Sequence, residues 1–265
     1  MMLSRLGSAF AATVFASIAL AAQEPVVGTV QFPPRSSLGL DIGYVSFNGE
    51  LDPWTLAAVS IGRQGSAGLL IGRVNVANRF SSTGAQYEAD AYPSLGKSMY
   101  GYLNAGYSSA SIFPEWRWGA EVFGNLPNAY EASLGFRQLR FGGAPVTLFT
   151  GSVGKYVGNY WFSARPYLRS KDGGLSASAG LTARRYHEGR DDYIGARISY
   201  GSTQSDRVIA TELARTSSMS VGVHGSRRLA TRVFGTWSLG YEREEPGVGR
   251  ARNRYEVNAG TRVDF

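Results

Sequence analysis

The C-terminal eleven residues alternate strictly, and that alternation constrains the fold more than any motif in the chain. From Tyr255 the odd positions are Tyr255, Val257, Ala259, Thr261, Val263 and Phe265, and the even ones are Glu256, Asn258, Gly260, Arg262 and Asp264. A period of two over this length is a strand with one apolar and one polar face. A helix would scatter the same charges around its circumference.

The signature recurs along the chain. Trp116, Trp118, Ala120 and Val122 oppose Arg117 and Glu121, and Tyr130, Ala132, Leu134 and Phe136 oppose Glu131, Ser133, Gly135 and Arg137. Tyr160, Phe162, Ala164, Pro166 and Leu168 oppose Ser163, Arg165 and Arg169. Met219, Val221 and Val223 oppose Ser220, Gly222 and His224; Val233, Trp237, Leu239 and Tyr241 oppose Arg232, Thr236, Ser238 and Glu242. A soluble sandwich also alternates, but its buried face is rich in branched aliphatics that fill a shared core. Here the apolar face is Ala, Val and Leu with Trp and Tyr towards the segment ends, and the other mixes Arg, Glu, Ser and Gly. That is a lipid-out, lumen-in pattern with aromatic girdles.

The first 22 residues read separately. Arg5 provides a positive start, Ala9 to Ala21 an apolar stretch, and Ala19-Leu20-Ala21-Ala22 a small-residue cleavage site. This is the grammar of a secretory signal, too short to span a bilayer. No later stretch reaches the roughly 18 consecutive apolar residues of a membrane helix. Residues 1–22 are therefore expected as a cleaved signal peptide, 23–37 as a short periplasmic tether, and 38–265 as one barrel in the outer membrane of a Gram-negative bacterium. Cysteine is absent, so disulfides hold nothing together, whereas a closed hydrogen-bond ladder would.

Turn signals separate the segments, among them Asn48-Gly49-Glu50, Gly65-Ser66, Ser81 to Gly84, Phe113-Pro114, Gly124 to Asn128, Gly142-Gly143, Asp172-Gly173-Gly174, Glu188 to Asp192, Arg227-Arg228 and Glu244 to Gly249. Direct segmentation from Leu38 gives fifteen candidate strands, with Leu38 to Phe47 and Arg207 to Leu213 the weakest. Bacterial barrels carry an even number. The fold class predicted is therefore all-β: a transmembrane, antiparallel, up-and-down β-barrel of about 14 strands, with 12–16 as the range. If the last strand ends in the periplasm, Glu244 to Gly249, Glu188 to Asp192 and Gly124 to Asn128 fall outside the cell. Arg227-Arg228, Asp172 to Gly174, Gly142-Gly143 and Phe113-Pro114 then fall in the periplasm. The connections look too short for a large folded-in plug.

The turns and strand ends carry a resemblance. Gln86-Tyr87-Glu88-Ala89-Asp90-Ala91-Tyr92-Pro93, Phe113-Pro114-Glu115-Trp116-Arg117, Thr150-Gly151-Ser152, Tyr156-Val157-Gly158-Asn159-Tyr160-Trp161, Arg184-Arg185-Tyr186 and Gly240-Tyr241-Glu242-Arg243-Glu244-Glu245 together resemble the YaiO family of outer-membrane β-barrels. The resemblance runs from about Leu38 to Phe265. It implies an integral outer-membrane barrel with no assigned chemistry, similar to the terminal domain of larger proteins linked to surface polysaccharide or glycosylation.

Charge narrows the remaining classes. Removing Arg5 leaves 26 basic against 20 acidic residues, a formal +6, spread singly rather than clustered, so no nucleic-acid partner is expected. The predicted lumen lining is Arg117, Glu121, Glu131, Arg137, Arg165, Arg169, Arg184, Arg197, Glu256 and Arg262, with Arg73, Arg79, Arg232, Asp41, Glu88, Asp90, Glu242 and Asp264 on the same inner face. Nearly matched signs favour cross-strand Arg–carboxylate pairs that stiffen the interior. An anion-selective pore would want an unbalanced basic ring. A structural, envelope-associated or glycan-linked barrel, or one with a narrow passage, is thus preferred to a small anion-biased channel.

Two histidines and no cysteine leave little for metal. His187 beside Glu188, Asp191 and Asp192 reads as a solvated loop, and no cofactor is expected. His224 and Ser226, two apart on one strand face, resemble the H-x-S element of outer-membrane lipid A deacylases, with Glu242 as an orienting acid. Against this, alternation turns His224 into the lumen, and the topology puts it towards the periplasmic end, whereas lipid A lies outside the barrel. Gly151-Ser152-Val153-Gly154-Lys155 has the wrong spacing for a phosphate loop and reads as a turn. Expected partners are outer-membrane lipid and lipopolysaccharide, periplasmic chaperones and the barrel-assembly machinery, with Phe265 as the insertion signal. Surface-polysaccharide machinery is a further candidate partner.

Overall fold

The structure is a computed structural model that describes residues 35–49, 51–143, 145–171, 174–201, 217–245 and 251–265. The described residues form fourteen strands: β1 (Arg35–Phe47), β2 (Trp54–Gly65), β3 (Gly68–Arg79), β4 (Ser82–Pro93), β5 (Met99–Tyr107), β6 (Trp116–Leu126), β7 (Tyr130–Arg140), β8 (Val146–Val157), β9 (Tyr160–Lys171), β10 (Gly174–His187), β11 (Gly189–Gly201), β12 (Ser217–Ala230), β13 (Val233–Glu245) and β14 (Arg252–Asp264). Each pairs antiparallel with its sequence neighbours, and β1 closes on β14. At the seam Leu38 faces Val263 and Tyr44 faces Val257, while Ser36 and Phe265 exchange backbone hydrogen bonds of 2.8 and 2.9 Å. No sheet edge is left open. In hydrocarbon an unpaired backbone group costs several kcal/mol, which is why only a closed sheet spans. No helix among the described residues is long and apolar enough to cross a membrane.

The alternation sorts side chains as its period dictates. On β1, Leu38, Leu40, Ile42 and Tyr44 lie outward and exposed while Asp41 and Val45 are buried inward. On β6, Trp118 and Val122 face out and Arg117, Glu121 and Phe123 face in. The outer wall is thus a band of aliphatic and aromatic side chains suited to lipid, not water. Strand β1 begins at Arg35, three residues before the sequence-based barrel boundary at Leu38.

Connection lengths orient the barrel. One end carries 66–67, 94–98, 127–129, 158–159, 188 and 231–232; the other carries 48–53, 80–81, 108–115, 141–145, 172–173, 202–216 and 246–251. Short turns are periplasmic and longer loops extracellular in this class, so the first set marks the periplasmic end. Several sequence-based sides are corrected accordingly. Glu188 to Asp192 and Gly124 to Asn128 belong to the periplasmic end, and Gly142-Gly143, Asp172 to Gly174 and Phe113-Pro114 to the outer one. Only the assignments C-terminal to β11 stand. The cause is parity: β11 pairs directly with β12, whereas an extra strand counted at 207–213 inverts every hairpin before it. The expectation for Arg207 to Leu213 itself lies outside the described residues.

Two further readings change. Gly151 to Lys155 lies inside β8, not in a turn, and Arg227-Arg228 lies inside β12, with the turn at 231–232. At the β2–β3 turn, Gly68 has φ of +138°, and a Cβ there would sit 2.1 Å from the Tyr92 carbonyl oxygen. Only glycine lets that hairpin pack against β4.

The barrel lumen as candidate functional site

The inner face is filled in layers. At the outer end the connection 108–115 folds inward, placing Ile112 and Phe113 on Val45, Trp54, Leu56, Ala58 and Ala77. Ser108 anchors it, its hydroxyl donating to the Ala85 carbonyl at 2.6 Å and accepting from the Ala110 N–H at 3.0 Å. Arg79 lies between Trp54 and Phe113, its guanidinium 5.4 and 5.5 Å from the two rings. A short loop thus forms a small stopper against β1 to β3, far below the large folded-in plug that the connection lengths argue against.

Below the stopper the wall carries ions. Glu88 accepts from Arg73 at 3.3 Å, from Arg117 at 3.3 Å and from Asn75 at 2.7 Å. Asp90 takes the other guanidinium nitrogen of Arg73 at 3.4 Å and receives Tyr102 and Asn104 at 3.0 and 2.7 Å. Glu121 holds two arginines, Arg137 on Oε2 at 2.7 Å and Arg165 on Oε1 at 2.8 Å. On the facing wall Arg262 joins Asp191 at 3.0 Å and Asp264 at 3.1 Å. Arg254 bridges Glu256 and Glu242 at 3.3 and 3.5 Å. Charge-assisted bonds of this kind are roughly twice as strong as neutral ones.

Many of these cations also lie on aromatic faces. Arg137 is 4.7 Å above Tyr102, Arg184 is 5.0 Å from both Trp161 and Tyr193, and Arg262 is 4.3 Å above Phe234. With Leu69, Ile71, Tyr92, Tyr100 and Phe123, these rings make a second apolar layer towards the periplasmic end. The inner face therefore carries an aromatic component beside the ion pairs expected from the sequence. Alternation could not reveal this, because inward Phe123, Trp161, Tyr167 and Phe234 read as breaks in a polar face.

Every residue of the predicted lining, from Arg117 through Glu121, Glu131, Arg137, Arg165, Arg169, Arg184, Arg197 and Glu256 to Arg262, is buried on the inner face. Arg232 is not: it sits exposed in the β12–β13 turn. Sequence reasoning missed Asp191 and Glu244, which it left in loops, and Arg254, which it did not assign; all three are buried. The Arg254-Glu256-Asn258 alternation was the available signal for the last. Phe265 is exposed, its backbone paired to Ser36.

The hydrolase constellation does not assemble. His224 Nε2 accepts from Arg184 Nε at 3.2 Å, so that nitrogen carries no proton and faces a cation. The Ser226 hydroxyl donates to the Asp191 carbonyl at 2.7 Å instead of to His224. Glu242 pairs in register with Ser220, whereas His224 pairs with Ser238, and Glu242 is engaged by Arg254. Ser226 lacks a base and His224 an orienting acid. His224 also lies near mid-strand rather than at the periplasmic end. Among the described residues no group of three or more His, Cys, Asp or Glu is placed to hold a metal; Asp191 turns inward, away from exposed His187.

A family model described as the YaiO membrane beta barrel domain matches residues 35–206. The chain belongs to the YaiO family. No curated relative matches this YaiO barrel. Among solved structures it is similar to a bacterial polysaccharide outer membrane secretin, with TM-score 0.55 and 6% identity over 87% of this chain and 98% of that one. It also aligns with Pseudomonas putida OprB (TM-score 0.49, 7% identity, 88% and 93% covered) and with the KdgM porin (TM-score 0.46, 10% identity, 86% and 99% covered). At these identities the likeness concerns the fold alone. The YaiO barrel is an outer-membrane protein.

Proposed function

We propose that this YaiO barrel is a closed, non-catalytic component of the outer membrane with a structural, envelope-associated role. The observation that carries this reading is Glu121, buried and holding Arg137 and Arg165 from two other strands at once. An ion path needs mobile, hydrated charges; here the charges are spent on one another, beneath a loop that folds into the outer end of the lumen. A glycan-linked setting is part of the proposal. It is supported by the family resemblance, and the polysaccharide secretin among the fold neighbours is in keeping with it.

Planar-bilayer recording of the purified barrel tests the reading. Silence at 1 M salt is the expected result, and a stable unitary conductance with anion preference would overturn it in favour of a narrow channel. Comparing surface polysaccharide from cells with and without the protein tests the glycan link; unchanged amount and chain length would remove that part alone.

A further inference from the structure

The lipid-facing wall is not uniformly ridged. A groove of about 560 Å³ crosses β8 to β12 on the outside. Its floor is made of alanines, with Ala164, Ala183 and Ala196 on adjacent strands; Phe162, Leu181 and Ile198 stand beside them. The cross-strand register explains the shape. Phe162 pairs with Ala183 and Ala183 with Ala196, while Ala164 pairs with Leu181 and Leu181 with Ile198. Large and small side chains thus alternate over two neighbouring rows and leave a furrow oblique to the membrane.

Lys155 lines the groove beside its register partner Phe162, two residues from the periplasmic end of β8 and about 7 Å along the strand. Lys155 Nζ donates to the Tyr130 hydroxyl at 2.9 Å and lies 4.3 Å from that ring's centroid. On β10, Arg185 is likewise two residues from the strand end, outward and exposed, 5.9 Å from the ring of Tyr160. Neither cation is ion-paired, and no acidic side chain lines the groove among the described residues. An apolar furrow with Lys155 and Tyr130 in its lining, and Arg185 two residues beyond Ala183 on the same face of β10, is complementary to an acyl chain ending in a phosphate.

We propose that this groove is a retention site for one anionic glycerophospholipid of the periplasmic leaflet. One acyl chain lies over Ala164, Ala183 and Ala196, and the phosphate sits between Lys155, Arg185 and the Tyr130 hydroxyl. The connection lengths place this end in the phospholipid leaflet, which favours that source over lipopolysaccharide.

Native mass spectrometry of the detergent-purified barrel, loaded with phosphatidylglycerol, phosphatidylethanolamine or lipopolysaccharide, tests the site. The wild type is expected to keep one phosphatidylglycerol about thirtyfold better than phosphatidylethanolamine, as roughly 1 kcal/mol for each of two basic residues near an anionic headgroup implies. The double variant Lys155→Gln/Arg185→Gln should bind the two phospholipids equally. Ala183→Phe should lose both while still migrating as a folded, heat-modifiable band. Equal retention of both phospholipids by the wild type, unchanged preference in the charge variant, or displacement by equimolar lipopolysaccharide would each overturn the proposal.

Discussion

Arg262 on β14 and Asp191 on β11 meet at 3.0 Å although two strands lie between them along the wall. At roughly 4.8 Å per strand spacing their backbones are about 14 Å apart, so the pair is a chord beneath the sheet rather than a neighbouring rung. Asp191→Ala removes one of the carboxylates that hold Arg262. Loss of one charged hydrogen bond should cost about 1.5–3 kcal/mol, read as a lower urea midpoint for the barrel in detergent micelles.

Glu121 presents a larger case, because one carboxylate serves two buried guanidiniums. Glu121→Ala removes the carboxylate that both guanidiniums share. A cost of about 3–5 kcal/mol is expected, and replacing Arg137 and Arg165 together by Leu and Met in the same chain should recover most of it. Unfolding midpoints of the single and triple variants check both halves.

On the proposed reading closure rests on two layers, and each should suffice. Ile112→Ala/Phe113→Ala opens the mouth but leaves the ion layer, so bilayers should stay silent. Glu121→Ala/Arg137→Leu/Arg165→Met thins the ion layer but leaves the stopper, with the same result. Only the five-fold variant should show unitary steps; conductance in either partial variant would mean that one layer alone is the barrier.

Gly119 lies where a Cβ would come within 2.4 Å of Arg137 Cδ and 2.8 Å of the Phe136 carbonyl oxygen. Backbone cannot yield there as a flexible side chain could. Gly119→Ala should destabilise by about 1–3 kcal/mol, visible as loss of the fast-migrating folded band on gels run without boiling.

Ser226→Ala and His224→Asn should leave the acylation of cellular lipid A unchanged by mass spectrometry, since the serine's proton is committed to the Asp191 carbonyl. Altered acylation in cells overproducing the wild type, abolished by Ser226→Ala, would revive the hydrolase reading.

The faces were readable because each strand carries its own period: Trp118 out and Glu121 in follow from position alone. Strand number was readable by parity, yet the sides of the hairpins were not. One surplus segment between 201 and 217 inverts every hairpin upstream of it, and nothing local in Gly142-Gly143 or Phe113-Pro114 signals which end they occupy. Asp191 escaped because His187-Glu188 and Asp192 around it look like a polar loop; only its place in β11, with its carbonyl accepting from Ser226 of β12, shows it to be wall. The stopper and the chord pairs depend on residues brought together across the barrel, which no window along the chain contains. The hydrolase pattern failed for the converse reason: spacing put His224 and Ser226 on one face, but Arg184 and the Asp191 carbonyl claim them.

The sharing of Glu121 has a consequence for how this interior changes over generations. Loss of Glu121 leaves two guanidiniums without the carboxylate they share, whereas loss of either arginine leaves a one-to-one pair and replacement of all three leaves no charge at all. Those positions on β6, β7 and β9 are coupled through the one carboxylate, so barrels of this lineage that lack the acid at 121 should lack both arginines too.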